Sequence, residues 1–474
     1  MAKVLLTFLL VIATALGATS GAPLAAQEDP GKLNIVYVVT DDMSYTDLQH
    51  MPHVQDLLVL QGMSFSKAYA PLSSCCPSRA SALTGKYPHN HGVWSNMGPA
   101  GGAPGFKKRG NEASTMATWL KDAGYTTALF GKYLNDYTVE THIPRGWDRW
   151  FAKLDPHGAA NYDYDVSDQG RKRHYGTTTN NYWTDVLDRE VLAYLDSRAR
   201  ELKPFFLYVA PSAPHESDGK PPISAERHKG LFSNLALPQP PNYNEDTSDK
   251  NNLTRNLSPL TASDKKAMTK SHRQRVRSLQ SVDEMVGDII GKLQAQGKLA
   301  DTYIVFTSDN GFHHGEHRYK MTKRTPYDEA LHLPLVVRGP GISPNTSTEQ
   351  IALTNDFAPT FAEWGDAAVP ADVDGRSLDP ILKATATGWR SAFLTEDSRN
   401  QNTDSEKAWR GVQTSTRKYL EFGSGFKELY ALETDPYELN NVYDGTPPAD
   451  LKARLEALTV CTGATCRTAE DSHP

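Results

Sequence analysis

Four polar residues that follow two apolar segments could together bind a metal ion. Asp41 and Asp42 come directly after one β-branched run, and Asp309 and Asn310 follow a second. Because open α/β sheets place their ligand sites at the carboxyl ends of the strands, we expect both pairs above one sheet. Their side chains offer only oxygen ligands, which suit Ca²⁺ or Mg²⁺ rather than zinc. The alternative is that Asp41 and Asp42 only cap a following helix.

Cys75 and Cys76 are adjacent in a chain that has only four cysteines. Vicinal cysteines rarely form a disulfide with each other, because the geometry is strained, so the pair needs another explanation. Residues 75–85 read Cys-Cys-Pro-Ser-Arg-Ala-Ser-Ala-Leu-Thr-Gly. The alternative interpretation is a buried cysteine pair at the start of a helix.

Residues 75–85 resemble the signature of the sulfatase family, Cys-x-Pro-Ser-Arg followed by Leu-Thr-Gly, at every named position and at the same spacing. In that family the first cysteine is oxidised to formylglycine during secretion by a formylglycine-generating enzyme, which recognises the proline and the arginine. The resemblance implies that Cys75 is modified and that Cys76 occupies the variable position. It also implies a calcium ion, with the following ligands: Asp41, Asp42, Asp309, Asn310 and the modified Cys75.

The chemistry of formylglycine explains why an ordinary side chain would not suffice. A hydrated aldehyde carries two hydroxyl groups on one carbon, and one of them can attack sulfur and form a covalent sulfate ester. The second can then lose its proton and expel sulfate as the aldehyde re-forms. A serine lacks the second hydroxyl and would remain trapped as its ester. The cation would polarise the sulfate and offset charge in the transition state.

Three basic residues and one histidine complete the pocket that the resemblance implies. Residues 124–133 resemble the family's second motif, in which the lysine after a glycine, here Lys132, reaches the sulfate. Lys323 matches the lysine that holds the sulfate from the other side, and Arg79 would grip the hydrated aldehyde. His215 matches the histidine that helps to protonate the leaving alcohol. The alternatives are a solvated lysine for Lys132, a surface salt bridge for Lys323 and a core histidine for His215.

Two features near these motifs depart from the expected pattern. The family often has a histidine two residues after the motif lysine, but Leu134 stands there. One contact to the formylglycine is therefore expected to be absent or supplied from elsewhere. Residues 313–317 read His-His-Gly-Glu-His, which lacks the His-Glu-x-x-His spacing of a zinc-binding helix. We interpret this cluster as lining of the substrate pocket.

The elements that would position these residues alternate between strands and helices. Residues 33–40, 205–209 and 302–307 are nearly continuous apolar runs, as expected of buried parallel strands, and polar candidates follow each of them. Residues 113–123 and 275–296 have helical patterns that end at glycine. The alternation predicts an α/β/α sandwich with a mostly parallel sheet. The family resemblance implies the alkaline-phosphatase-like fold.

Two domains are predicted after the N-terminal segment. Residues 27–373 would form the sulfatase catalytic domain, and residues 374–474 a smaller α+β subdomain. In the latter, short strand-like pieces such as Lys418–Phe422 lie among turns, and a helix covers residues 448–458. Residues 237–256 are rich in Pro, Asn and Asp, which predicts an exposed loop.

The N-terminus and the composition indicate an exported protein. Residues 1–26 combine Lys3, a short apolar run and small residues, which is typical of a secretory signal peptide. The alternative is a short membrane anchor or a buried strand. Cys461 and Cys466 are expected to form a small-loop disulfide. Extracellular or periplasmic placement follows, or a lysosomal one in a eukaryote.

The net charge of −6 over 474 residues gives no basic field that would attract nucleic acid or an anionic membrane. A sulfated substrate would have to be attracted by a local basic pocket instead. No segment after the N-terminus is apolar for long enough to cross a membrane. We therefore expect no nucleic-acid partner and no membrane association once the signal peptide is removed.

The resemblance implies a sulfuric ester hydrolase that acts on a sulfated sugar or an aryl sulfate. Residues 75–91, 131–135 and 334–342 look closest to glucosamine-6-sulfatases, which remove sulfate from glycosaminoglycan ends. Two alternatives stay open. A phosphonate monoester or phosphodiester hydrolase would use the same nucleophile, and a non-catalytic glycan-binding relative would keep the fold without the chemistry. The presence of every matched catalytic position except the one at Leu134 argues against the second alternative.

Overall fold

A computed structural model of the chain describes residues 31–155, 160–217, 219–398 and 407–471. The predicted signal peptide, residues 1–26, lies outside these ranges. Within them, no helix is both long enough and apolar enough to cross a membrane.

The strands of the described residues are, in chain order, β1 (Asn34–Thr40), β2 (Met63–Phe65), β3 (Ala68–Tyr69), β4 (Thr126–Gly131), β5 (Arg149–Lys153), β6 (Tyr164–Asp168), β7 (Arg171–Tyr175), β8 (Phe205–Ala210), β9 (Thr302–Ser308), β10 (Leu335–Arg338), β11 (Thr346–Thr348), β12 (Ala352–Leu353), β13 (Ala392–Asp397), β14 (Trp409–Thr414), β15 (Lys418–Phe422) and β16 (Lys427–Tyr430). The α-helices are α1 (Pro52–Val54), α2 (Cys75–Thr84), α3 (Pro88–His91), α4 (Gly102–Lys108), α5 (Met116–Asp122), α6 (Trp183–Arg198), α7 (Asn252–Arg255), α8 (Ala262–Ala295), α9 (Asp328–Leu331), α10 (Phe357–Trp364), α11 (Asp379–Leu382), α12 (Ala449–Leu458) and α13 (Ala464–Asp471).

A large mixed sheet forms the centre of the protein, in the order β11-β2-β10-β9-β1-β8-β4-β5-β6-β7. Strands β9, β1, β8, β4 and β5 run parallel to one another, and the antiparallel pairings are made by β10 and β6. The three predicted apolar strands are confirmed as β1, β8 and β9, and the structure places them side by side in the parallel centre of the sheet. The predicted fold class, an α/β sandwich with a mostly parallel sheet, is confirmed.

Helices cover both faces of this sheet because its central strands are apolar on both sides. On β1, Ile35, Tyr37 and Val39 pack in one cluster with side chains of α2, α5 and α10. Val36 and Val38 point to the other face and pack against α6 and α8. The alternation of side chains along a strand therefore builds two hydrophobic layers, one on each side.

The C-terminal part contains a separate antiparallel sheet in the order β13-β14-β15-β16. Strand β15 and helix α12 occur where the sequence predicts them, and a second helix, α13, follows. Cys461 and Cys466 form the expected disulfide just before and within α13. The boundary between residues 373 and 374 stays a prediction.

Two sequence predictions about elements are wrong in extent. Helix α8 begins at Ala262 rather than at residue 275, because Thr261 and Asp264 form a reciprocal capping box at its N-terminus. The segment predicted as an exposed loop, residues 237–256, contains α7 and carries fully buried polar residues such as Lys250. Its burial has a specific cause, since Lys250 Nζ donates to the Leu439 carbonyl at 2.7 Å.

Candidate active site

The ends of β1 and β9 bring the four predicted metal ligands together. Thr40 and Ser308 are paired in the parallel register, so Asp41–Asp42 and Asp309–Asn310 leave the sheet side by side. The Asp42 amide donates to Asp309 Oδ1 at 3.0 Å, and Asn310 Nδ2 donates to Asp42 Oδ1 at 2.7 Å. All four residues are buried.

Asp42 adopts a backbone conformation that is unusual for a residue with a side chain. Its φ of 68° lies in the left-handed region, which costs free energy for a non-glycine residue. The conformation persists because the Asp42 amide and carboxylate are both held by neighbours on β9's carboxyl end. Such locally strained residues occur preferentially at functional sites. The observation argues against a simple helix-capping role for Asp42.

Cys75 is the first residue of α2 and is fully buried beside these carboxylates. Its Sγ lies 3.3 Å from Asp41 Oδ1 and 2.7 Å from Lys323 Nζ. Burial, together with the negative charge of Asp41, raises the pKa of the Cys75 thiol well above its ordinary value. An unmodified thiol at this position would stay protonated and would be a poor nucleophile.

The predicted basic residues converge on the same point. Lys132 Nζ donates to Asp41 Oδ2 at 2.6 Å, and Lys323 Nζ donates to Asp42 Oδ1. Arg79, one turn along α2 from Cys75, donates from Nε to Asp309 Oδ2 at 2.8 Å. None of the three is a surface residue, so the alternative of a solvated or surface-paired lysine does not apply to Lys132 or Lys323.

The glycine before Lys132 is required by the close approach of two strands. Gly131 has a φ of 119°, and a Cβ there would lie 2.1 Å from the Ala210 carbonyl oxygen. That same oxygen accepts a hydrogen bond from the Lys132 amide at 2.8 Å. The Gly-Lys pair of the motif thus fixes the backbone from which the Lys132 side chain reaches the site.

Acidic and basic side chains of the site compensate each other's charges. Burial alone would raise the pKa of Asp41, but the positive charges of Lys132 and His215 outweigh it and hold that pKa well below its ordinary value. The pKa of Asp42 is also lowered, because Lys323 outweighs the effect of burial. Asp41, Asp42 and Asp309 therefore offer carboxylate oxygens to an incoming cation. The carboxylates of Asp41 and Asp42, at least, are ionised.

The residues present fit a divalent cation that prefers oxygen ligands. Ligand atoms of Asp41, Asp42, Cys75 and His215 lie within 4.8 Å of one another. In addition, Asn310 Oδ1 is buried and has no hydrogen-bond partner among the described residues. A buried amide oxygen without a donor is costly, and a hard cation would satisfy it. This part of the site is an acidic cluster able to hold a metal ion.

His215 lies at the edge of the cluster and is partly exposed. Its Nε2 is 3.5 Å from Asp42 Oδ2, and its Nδ1 lies 2.5 Å from the Glu216 carbonyl oxygen, which can only accept a hydrogen bond. The proton on Nδ1 is therefore fixed, and Nε2 is the nitrogen that faces the site. This arrangement differs from a core histidine.

Of the two features that depart from the expected pattern, Leu134 lies at the site, whereas two histidines of the cluster do not line it. Leu134 is buried and lines a small cavity together with Lys132, Lys153 and His215, so an apolar side chain occupies this side of the site. His313 and His317 are completely buried. His313 hydrogen-bonds Thr325 Oγ1, and His317 hydrogen-bonds Glu245 Oε1. The interpretation of these two histidines as pocket lining is therefore wrong, because neither is accessible.

Sequence reasoning missed two residues that support the site. Arg275 on α8 is buried, donates to the carbonyl oxygens of Pro214 (3.0 Å) and Asp42, and lies over the Phe312 ring. Its signal in the sequence is a cation within the apolar stripe of an amphipathic helix. The second residue is Asn96, whose Oδ1 accepts hydrogen bonds from Ser74 Oγ and the Cys76 amide. No local pattern distinguishes Asn96.

A cleft beside Lys323 connects the site to the C-terminal sheet. On the catalytic side it is lined by polar residues such as Ser74, Asn96 and Arg324, and the C-terminal sheet contributes Trp409 and Phe422. Arg324 is held at the boundary by its ion pair with Asp397 of β13, at 2.7 Å. A substrate bound here would therefore contact both parts of the molecule.

Comparison with known proteins agrees with this arrangement. The family model "Sulfatase" matches residues 33–367, and the model "N-sulphoglucosamine sulphohydrolase, C-terminal" matches residues 315–460. The N-acetylglucosamine-6-sulfatase of Homo sapiens is 33% identical over 92% of this chain and 86% of its own length. The arylsulfatase of Volvox carteri is 31% identical over 97% of this chain and 79% of its own.

A solved structure, that of BT4656 in complex with its substrate D-glucosamine-2-N,6-O-disulfate, aligns with a TM-score of 0.78 and 25% identity, and covers 93% of this chain and 99% of the other. The phosphonate monoester hydrolase of Silicibacter pomeroyi aligns with a TM-score of 0.71 and 23% identity, over 90% of this chain and 94% of that one, which shows a shared fold.

The fold and the acidic, cysteine-centred site define an alkaline-phosphatase-like hydrolase. The chain belongs to the sulfatase family. It is a sulfuric ester hydrolase.

Proposed function

We propose that the protein removes the 6-O-sulfate from a glucosamine residue at the end of a sulfated glycan. The observation that carries the proposal is the convergence of Lys132, Lys323, Arg79 and the acidic cluster on Cys75. The substrate is supported by the names of the relatives, an N-acetylglucosamine-6-sulfatase at 33% identity and an enzyme solved with a 6-O-sulfated glucosamine.

The proposed nucleophile is formylglycine made from Cys75 during export by a formylglycine-generating enzyme. Its hydrate supplies two hydroxyl groups on one carbon, one to attack and one to lose its proton. Arg79 is placed to assist, because its Nη2 is buried and has no hydrogen-bond partner in the described part of the chain. Its other nitrogens are engaged with Asp309 and the Lys132 carbonyl, so Nη2 remains free to donate to the modified side chain.

The proposed metal is calcium, held by Asp41, Asp42, Asp309, Asn310 and the modified residue 75. When bound, it supplies positive charge that polarises the sulfate oxygens. Lys132 and Lys323 then take a second role, since they lie beside Cys75 and can donate to the sulfate.

His215 is the proposed proton donor to the leaving sugar oxygen. Its Nδ1 proton is fixed by the Glu216 carbonyl, so Nε2 is the nitrogen that can carry and release a proton toward the site. The partly exposed position of His215 suits this role, because the leaving alcohol must depart toward solvent. Lysosomal, extracellular or periplasmic placement of the enzyme belongs to the same proposal.

Mass spectrometry of the peptide around Cys75, from protein made in its native host, tests the nucleophile. We expect an aldehyde or its hydrate at residue 75 and an intact thiol at residue 76. Cys75→Ala and Cys75→Ser should abolish multiple turnover of N-acetylglucosamine-6-sulfate. Cys76→Ala is the matched control, since Cys76 is equally buried next to the nucleophile, and it should retain turnover. Multiple turnover by either Cys75 variant would refute the mechanism.

A comparison of rates tests the substrate class. The shared fold with a phosphonate monoester hydrolase makes a phosphonate the relevant competitor. We expect kcat/KM for N-acetylglucosamine-6-sulfate to exceed that for a phenyl phosphonate ester by several orders of magnitude. A preference for the phosphonate ester would replace the proposed function by that of the neighbouring hydrolases.

A further inference from the structure

A row of four cations lies along one exposed face of α8. Lys266, Lys270, Arg273 and Arg277 are spaced by four, three and four residues, so they fall on a single stripe of the helix. With Thr269 they line a shallow groove. Buried Arg275 projects from the opposite side of the helix toward the active site, so the stripe faces away from the core.

The four cations have no carboxylate partner within the described ranges, unlike three other lysines of the protein. Lys292 on the same helix pairs with Asp196 at 2.9 Å, and Lys320 pairs with Asp264 at 2.8 Å. On edge strand β7, exposed Lys172 is also paired, with Asp165 at 2.8 Å. Like charges at these spacings destabilise a helix when nothing neutralises them. The chain has a net charge of −6, yet none of its described carboxylates neutralises this row, so an external anion would relieve the repulsion.

The two arginines of the row are fixed by the backbone rather than by acids. Arg273 Nε donates to the Leu235 carbonyl oxygen at 2.7 Å, and Arg277 Nε donates to that of Leu231 at 2.5 Å. These hydrogen bonds hold the side chains in place but leave their positive charges uncompensated. A pre-ordered cation loses less entropy when it binds an anion. The pre-ordered arginines of the groove therefore favour the binding of a polyanion.

The N-terminal end of the row lies close to the rim of the active site. Asp264, two residues before Lys266, binds Lys320, and Lys323 in the site lies only three positions further along the chain than Lys320. That piece of chain spans at most about 11 Å. A long substrate whose end is bound at Cys75 can therefore extend toward α8.

We propose that this row is an anchoring site for a sulfated polysaccharide, separate from the active site. The inference rests on the proposed function in that the bound polymer would present its end to Cys75. None of the described residues that line the groove is an aromatic residue that could stack on the bases of a single-stranded nucleic acid. The apolar face of α8 is packed in the core and cannot enter a membrane. Closely spaced sulfate groups match a row of cations on one helix face.

Binding of heparin to the full-length protein tests the proposal, with duplex DNA, hyaluronan and phosphatidylserine vesicles as competing polyanions. In Lys266→Gln/Lys270→Gln, we expect the heparin affinity at 0.1 M salt to fall about tenfold or more, and the slope of log K against log [salt] to decrease by about 2. The matched control is Arg171→Gln/Lys172→Gln, which removes the same charge from β7 and should change the affinity less than twofold. Both double variants should hydrolyse a small aryl sulfate at the wild-type rate.

Equal loss of heparin affinity in the two double variants would overturn the anchoring site, because only net charge would then matter. The anchoring site would also be overturned if the wild-type protein bound DNA or vesicles more tightly than heparin, or bound hyaluronan as tightly as heparin. The binding assay needs no turnover. Selective heparin binding by a protein that fails to hydrolyse N-acetylglucosamine-6-sulfate would therefore support the anchoring site and refute the proposed catalytic function.

Discussion

A largely buried histidine links the catalytic part of the protein to its C-terminal sheet. His89 of α3 places Nδ1 2.7 Å from Glu396 Oε1 on β13 and Nε2 3.0 Å from the Cys461 carbonyl oxygen. A carbonyl and an ionised carboxylate can only accept hydrogen bonds. Both ring nitrogens must therefore donate, and His89 must carry two protons for this geometry to form.

The pKa of His89 supports the same conclusion. Burial alone would lower it, but the hydrogen bond and the negative charge of Glu396 outweigh burial and raise the pKa from 6.5 to about 9. One pKa unit corresponds to about 1.36 kcal/mol, so the doubly bonded imidazolium contributes roughly 3 kcal/mol to the free energy of unfolding. Because the side chains of both partners are largely buried, solvent screens this interaction little.

The sign of the pH dependence follows from the raised pKa. The contribution is complete below pH 6.5, where His89 is protonated in both the folded and the unfolded chain. It is lost as the pH rises through about 9, where the folded protein gives up the proton and one of the two hydrogen bonds. We therefore expect the contact between α3 and the C-terminal sheet to weaken under alkaline conditions.

Urea unfolding of the wild type and of His89→Asn between pH 6 and pH 10 measures this contribution. The difference in the free energy of unfolding should fall by roughly 3 kcal/mol across this range. The matched control is His174→Asn on β7, where the histidine also lies beside carboxylates, those of Asp163 and Asp165, but is well exposed. Because solvent screens these contacts, its difference should change much less than that of His89→Asn. An NMR titration in which the His89 imidazole protons shift near pH 6.5 rather than near pH 9 would refute the reasoning.

Three other predictions concern buried charges and the metal. Arg390→Met should destabilise the protein by about 3–5 kcal/mol in urea unfolding, because Asp356 and Glu470 would lose their buried partner; a loss below about 1 kcal/mol would contradict this. Chelation with EDTA should abolish activity and lower the midpoint of thermal unfolding. Calcium at 100 times its Kd should then raise the free energy of unfolding by about 2.7 kcal/mol, and a midpoint that does not change with calcium would argue against the proposed ligands. Arg275→Met should lower kcat at least tenfold with little effect on KM, and wild-type kcat would exclude a positioning role toward Asp42.

The parallel centre of the fold was predictable because its signals are local. Strands β1, β8 and β9 are nearly continuous apolar runs, as expected of strands buried on both faces of a covered parallel sheet. Once these strands are neighbours, the residues at their carboxyl ends must meet. The sequence therefore places Asp41 and Asp309 above one sheet, whereas the adjacency of β1 and β9, which brings them together, is seen only in the structure.

The region of residues 237–256 shows where local reasoning fails. Its composition is typical of an exposed loop, yet Asn251 is buried and hydrogen-bonds Tyr327 Oη and Glu428 Oε1. These partners lie 76 and 177 residues further along the chain. Polar residues enter the interior when each finds a partner there, and no pattern within the segment shows that such partners exist.

In the candidate site, too, some residues can be recognised from a local motif and others only from the packing of the fold. Cys75 and Arg79 belong to one contiguous signature, and their spacing puts both on the first turn and a half of one helix, so their proximity is set locally. Arg275 reaches the Asp42 carbonyl only because α8 packs across the ends of β1 and β8. Residues that perform chemistry must present particular functional groups in a fixed array, which leaves a readable motif. Residues that hold the array need only reach it, and many positions in the fold can do so, which is why their identity emerges from packing.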